Sequence, residues 1–185
     1  MNKRRPAEGY LVFITAIGPC GVAWSGRGLV CLQLPHESEE ATQAVLLARI
    51  TLPKEGGSTT PPAAVKAAIT RIVRHLDGKE ADLDSIDLDL EGMPPFHRKV
   101  YEAARRITSG EIRTYGELAG DAGSPQGARA VGQAMAKNPL PIVVPCHRVI
   151  AAGGKPGGFT SPGGLDTKAR LLAIEGASLP KRPSR

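Results

Sequence analysis

Three short apolar runs separated by turn residues open the chain. Tyr10-Leu11-Val12-Phe13-Ile14 comes first, Gly21-Val22-Ala23-Trp24 follows a Gly18-Pro19 turn, and Leu29-Val30-Cys31-Leu32-Gln33-Leu34 follows Ser25-Gly26-Arg27-Gly28. Apolar runs of this length bounded by Gly, Pro and Ser read as strands, and such brief turns join neighbours, so the three predict a meander. The pattern then changes period. Ser38-Glu39-Glu40 offers a hydroxyl cap and an acidic first turn ahead of a helix over 41–50. Residues 53–62, rich in Gly, Ser, Thr and Pro, read as a loop, and 63–76 as a second helix with Ala64, Ile69, Ile72 and Val73 on one side. The acidic stretch 77–89 reads as a loop with a strand near 86–88.

Glu91-Gly92-Met93-Pro94-Pro95 marks a domain boundary, beyond which the pattern is helical. Val100, Ala103, Ala104 and Ile107 recur at helical spacing in 96–107, and a short helix follows with Thr114 as its cap. Ser124-Pro125-Gln126-Gly127 begins another, with Ser124 at the cap and Pro125 at the first helical position, running through 128–136 to Lys137-Asn138-Pro139. Two short helices joined by a Gly-containing turn have the form of a helix-turn-helix, and the small residues Gly127, Ala128 and Ala130 around Arg129 suit a helix lying close to a groove wall.

Composition sharpens this picture. At 41% hydrophobic and 23% charged, with no long apolar run, the sequence is that of a soluble globular protein with no membrane span. The basic start, Met1-Asn2-Lys3-Arg4-Arg5-Pro6, lacks the apolar stretch of a signal peptide, so a cytoplasmic location is expected. Cys20, Cys31 and Cys146 cannot all pair, and reduced thiols are expected, the first two as small buried hydrophobes. None falls in a zinc-ligand spacing, so neither metal nor cofactor is expected. The net charge of +6 is uneven: residues 97–185 carry 14 basic against 6 acidic side chains, while 1–96 carry 10 against 12. A basic half of this kind faces a polyanion.

The chemistry concentrates in Asn138-Pro139-Leu140-Pro141-Ile142-Val143-Val144-Pro145-Cys146-His147-Arg148-Val149. The prolines rule out a helix and fix the approach to the thiol, and Ile142-Val143-Val144 reads as a buried strand. A thiol is a nucleophile only as its thiolate, so it needs a base or cation nearby, oriented by a third group. His147 is adjacent, Arg148 adds positive charge, and Glu175 is a candidate for the orienting carboxylate.

Taken together, Gly110-Glu111-x-x-Thr114-Tyr115-Gly116, Arg129-Ala130-Val131-Gly132, Asn138-Pro139, Pro145-Cys146-His147-Arg148-Val149 and Leu171-Leu172-x-x-Glu175-Gly176 resemble the O6-alkylguanine-DNA alkyltransferases, or methylated-DNA–protein-cysteine methyltransferases. The resemblance is close from Phe96 to about Gly176 and general before it. It implies an α+β protein: a ribonuclease H-like β-sheet and helix domain over 1–92, a winged helix-turn-helix-like DNA-binding and active-site domain over 93–178, and a flexible basic tail over 179–185. It implies a monomer that acts on double-stranded DNA containing O6-alkylguanine, with O4-alkylthymine a second candidate, by irreversible, single-turnover transfer of the alkyl group to Cys146 after base flipping.

The implied roles follow the matched positions. Cys146 is the acceptor. His147 takes the thiol proton through a water while Glu175 holds the imidazole, Asn138 braces the turn, and Tyr115 donates to guanine N3. The carbonyls of Cys146 and Val149 accept from the guanine amine, and Arg129 fills the gap left by the flipped nucleotide. Gly127, Ala128, Thr114, Tyr115 and Arg148 are further DNA contacts, and Val149, Phe159, Thr160, Ser161 and Pro141 line the substrate pocket.

Two departures from the family pattern stand out. Gly157-Gly158-Phe159-Thr160-Ser161-Pro162-Gly163-Gly164 is two residues longer than the usual loop and has Phe159 in place of a tyrosine. Ile107-Thr108-Ser109-Gly110 lacks a proline common among relatives. Only two cysteines precede Cys146, so the zinc-bound four-cysteine domain of the damage-sensing relatives, with its phosphotriester repair and transcription activation, is not expected. The rival readings are a lesion-binding protein without chemistry, disfavoured because Cys146 is present, a cysteine hydrolase, and a transcription factor with Cys146 merely buried.

Overall fold

A computed structural model gives the structure of residues 4–179; positions 180–185, most of the basic tail, lie outside the described residues. The described residues form a mixed α+β chain of six α-helices and three small sheets. It divides into two compact units, one running to Glu91 and including Pro139–Val143, the other comprising Gly92–Asn138 and the chain from Val144.

The first unit is built on the meander. Strands β2 (Gly9–Thr15), β3 (Gly18–Ser25) and β4 (Gly28–Gln33) pair antiparallel in that order, with Leu11 opposite Val22 and Val22 opposite Leu32. Helix α1 (Glu39–Arg49) starts where the capping residues place it, the Ser38 hydroxyl accepting from the Ala41 amide at 3.1 Å. It covers the sheet with Leu46, against Ala23, Val30 and Cys31. Cys20 and Cys31 are buried free thiols, and burial pushes the Cys20 thiol up to about 12.

Three details differ from the pattern-based reading. Ile50 leaves α1 and, with Thr51, forms β5 (Ile50–Thr51), parallel to β1 (Arg5–Pro6). Helix α2 (Ala63–Leu76) buries Val65, Ala68, Ile72 and Leu76, whereas Ala64 is exposed and Ile69 and Val73 are half-buried. The four buried positions follow the 3.6-residue period, and each large aliphatic one contributes about 1.5–3 kcal/mol. Residues 86–88 form no strand, only a bridge between Leu88 and Leu29.

The second unit is helical. Helix α3 (Pro95–Arg105) buries Val100, Tyr101, Ala103 and Ala104, and the buried Tyr101 hydroxyl donates to Ala134 O at 3.0 Å. A two-residue parallel pair, β6 (Arg113–Thr114) and β7 (Val149–Ile150), ties the segment before α4 (Tyr115–Asp121) to the one after Cys146. Helix α5 (Ala128–Ala136) begins at Gly127 rather than at Ser124. Residues 124–127 form a tight turn closed by the Gly127 amide on Ser124 O at 2.7 Å, which keeps Pro125 out of the helix. Helix α6 (Gly164–Ile174) completes the unit. Among the described residues no helix is long and apolar enough to cross a membrane.

Candidate active site

The segment carrying the thiol is buried from Leu140 to Ile150, and ahead of β7 none of it is strand. Residues 141–143 form a turn in which Ile142 has φ 74°, a left-handed conformation that costs a β-branched residue about 1–2 kcal/mol. Pro139, Pro141 and Pro145 have no N–H to give a ladder, which removes the strand that the Ile-Val-Val run alone suggests. Side-chain bonding takes its place: Asn138 Nδ2 donates to Val144 O at 2.8 Å, and the Cys146 amide donates to the same carbonyl at 2.8 Å. A single 3-10 turn, Cys146–Arg148, then carries the three functional side chains.

Cys146 lines a cavity of about 410 Å³ together with Tyr115, Arg129, Met135, Phe159 and Thr160. Burial pushes its thiol up from the ordinary value, and Asn138, then the Lys168 ammonium, then neighbouring amides pull it back down. Tyr115, first residue of α4, donates its hydroxyl to Gly158 O at 3.4 Å, and burial and the nearby Cys146 raise its pKa. Gly157 has φ 71°, and a Cβ there would lie 2.9 Å from the Tyr115 ring, so this approach of loop and ring requires glycine. Thr160 Oγ1 anchors the loop to Ala136 O at 3.2 Å, on the far wall.

Behind the thiol, His147 Nε2 lies 2.8 Å from Glu175 Oε1, and both side chains are fully buried. Arg148 is also buried: its Nε donates to Glu175 Oε2 at 2.9 Å, its Nη2 to Oε1 at 2.8 Å, and its Nη1 to Ile107 O. This corrects the expectation that Arg148 contacts DNA. Three of its five N–H groups are committed to a carboxylate and a backbone carbonyl, and a side chain only 7% exposed offers little to a phosphate. Glu175 follows the last residue of α6, where the helix dipole disfavours a carboxylate, and Arg148 offsets that cost.

Other expected residues divide. Arg129 is exposed at the rim with Ala128, in the first turn of α5, and Gly127 precedes them as the helix N-cap. Thr114 caps α4 in a capping box, its hydroxyl accepting from the Glu117 amide at 3.2 Å and donating to Glu117 Oε2 at 2.8 Å, which leaves it little capacity for DNA. Phe159 and Thr160 line the cavity, but Ser161, Val149 and Pro141 do not; Pro141 belongs to the first unit. The carbonyls of Cys146 and Val149 already accept from the Val149 amide and from Lys168 Nζ (2.7 Å), leaving one lone pair on each.

Lys168 is the site residue that motif reading missed. Completely buried, its Nζ donates to Val149 O and, at 2.6 Å, to Pro156 O, joining β7 to the root of the 157–164 loop. Burial lowers its pKa to about 8, against the opposing pull of Cys146. Its signal was available: a lysine one turn before Leu171 and Leu172, on the apolar face of a helix, needs an internal partner. Gly132, which closes the Arg129-Ala130-Val131-Gly132 motif, lines the cavity, as do Gln133, Met135 and Ala136 of α5, which had no motif to mark them. Among the described residues no group of three His, Cys, Asp or Glu could hold a metal.

Known proteins share this arrangement. The family model of the 6-O-methylguanine DNA methyltransferase DNA-binding domain matches residues 95–177. A methylated-DNA–protein-cysteine methyltransferase of Mycobacterium tuberculosis is 35% identical over 171 residues, 92% of this chain and 94% of the relative. One from Mycolicibacterium paratuberculosis is 46% identical over 123 residues, 66% of this chain and 72% of the relative. The crystal structure of M. tuberculosis OGT in complex with DNA matches with a TM-score of 0.70 at 35% identity, covering 90% of this chain and 92% of that one. The O6-methylguanine-DNA methyltransferase of Pyrococcus kodakaraensis matches with a TM-score of 0.68 at 30% identity, covering 90% and 99%. Likeness of this extent, with the thiol segment inside the matched region, is that of common descent, and the chain belongs to the family of methylated-DNA–protein-cysteine methyltransferases.

Proposed function

We propose that this protein reverses DNA alkylation directly, moving a methyl or other alkyl group from O6 of guanine to Cys146 Sγ, once per molecule. The observation that carries this reading is a buried cysteine opening into a cavity whose rim bears Arg129 on a short helix. An O6-alkyl carbon within a duplex is out of reach of a thiol, so the nucleotide turns out into the cavity at a cost of about a few kcal/mol. The exposed Arg129 occupies the gap in the stack, and the α5 amides, with no side-chain cap at Gly127, suit the adjacent phosphates. The helix pair α4–α5 acts as the helix-turn-helix of a winged domain, and the first unit as a ribonuclease H-like support. The protein works as a monomer in the cytoplasm.

In the cavity, the base displaces Gly158 O as the partner of the Tyr115 hydroxyl, which then donates to guanine N3. His147 takes the Cys146 proton through a water. The sulfur forms a bond to the alkyl carbon, the O6–carbon bond breaks, and its electron pair passes into the purine, which leaves as ordinary guanine after protonation. A thioether has no hydrolytic exit, so the protein is consumed. Phe159 packs against base or alkyl group without donating a hydrogen bond, and the remaining lone pairs of Cys146 O and Val149 O receive the guanine amine.

Intact mass measurement after mixing with a duplex containing O6-methylguanine is the test. One added methyl per chain, absent in Cys146→Ala, is expected. Repeated turnover would indicate a hydrolase, and binding without an adduct a lesion-recognition protein.

A further inference from the structure

We infer that Arg148 is a positioning residue of the transfer reaction: by sharing Glu175 with His147 it fixes the imidazole as the neutral, Nε2-protonated tautomer and sets the pH at which His147 works as a base. This rests on His147 being that base. Four hydrogen bonds enclose the three side chains: Glu175 Oε1 meets both His147 Nε2 and Arg148 Nη2, Oε2 meets Arg148 Nε, and Arg148 Nη1 reaches Ile107 O. The side chains of His147 and Glu175 are 0% exposed and that of Arg148 7%, so solvent screens none of these charges.

A carboxylate held at both oxygens by a guanidinium is ionised and can only accept. The proton between His147 and Glu175 therefore sits on Nε2, and Nδ1 is the basic nitrogen of the neutral ring. Charge gives the second half of the argument. A buried His–Glu pair alone carries −1 with a neutral imidazole and gains strongly by protonation, which would leave the base occupied before the thiol is deprotonated. With Arg148 attached, the group is neutral with neutral imidazole and +1 with imidazolium, so the ring protonates later. The proton that leaves Cys146 Sγ then arrives at Nδ1, and the new thiolate balances the new positive charge. The other charged groups facing this cluster are Lys168 on α6, which favours the Cys146 thiolate, Glu111 beside Arg148, and the Tyr115 phenol beside Cys146.

The expected results are specific. In the full-length protein, 15N NMR of the His147 ring shows a neutral Nε2–H tautomer at pH 7. In Arg148→Gln, the acid limb of the single-turnover methyl-transfer rate on O6-methylguanine duplex moves up by about one pH unit, whereas Arg148→Lys, which keeps the charge, holds it within a few tenths. An Nδ1–H tautomer or an imidazolium in the wild-type protein at pH 7 overturns the inference, even if Arg148→Gln fails to fold. A rate lost in His147→Gln combined with an unmoved limb in folded Arg148→Gln sinks the inference alone. An unchanged rate in His147→Gln sinks the base as well.

Discussion

The chemistry at Cys146 is a contest between burial, which holds the proton on sulfur, and three groups that pull the other way: the Asn138 amide, the Lys168 ammonium and the local backbone N–H groups. Of these only Lys168 itself titrates near working pH, its pKa lowered by burial from 10.5 to about 8. Its folded value lies below its unfolded one, so between those limits the unfolded chain binds more protons and stability from this group rises with pH. Chemical denaturation of wild type and Lys168→Met from pH 7.5 to 10.5 should therefore give a steeper upward trend for the wild type; parallel curves would remove the buried ammonium. Cys146, His147, Glu175 and Asn138 were legible as one cluster because thiol, adjacent imidazole and Asn-Pro turn share one short segment and the carboxylate closes a spaced motif. Arg148 was legible as a cation but not as a buried one, since nothing in a linear string says that Glu175 reaches back to it across 27 positions.

Among the elements, two pieces of backbone flanking Cys146 in the chain are described poorly by sequence patterns, and the second of them lines the cavity. Residues 140–144 are as apolar as any strand, yet three prolines and the left-handed Ile142 make them a turn. The 157–164 loop is held at its root, by Lys168 at Pro156, and midway, by Thr160 at Ala136, with Phe159 between them on the cavity wall. Helix α5 starts three residues later than its Ser-Pro signal suggests, and this puts Arg129 in the first turn, at the cavity rim. On the proposed function, a residue there assists extrusion of a nucleotide but does nothing for a base already free. Arg129→Ala should slow repair of O6-methylguanine duplex by tenfold or more, about 1.4 kcal/mol, while changing reaction with free O6-benzylguanine by less than twofold. Equal losses in the two single-turnover assays would deny the wedge role.

Over the whole molecule, charge decides the encounter. Residues 97–185 carry 14 basic and 6 acidic side chains, and two of the basic ones, Arg148 and Lys168, are spent inside the protein. Several of the rest remain for the phosphate backbone, so duplex affinity measured by fluorescence anisotropy should fall about tenfold or more between 50 and 200 mM salt; a flat response would mean that phosphates contribute little. The α+β class, the meander, the α1 and α4 caps and the candidate thiol segment were legible in the sequence alone, because each rests on near neighbours: period, turn chemistry, capping spacing and an unbroken motif. The tertiary structure alone decided which cations are inside. Lys168 carries only the hint of its helical register and Arg148 none, and a pair of carbonyls and a shared carboxylate become their obligatory partners only once the fold removes them from water.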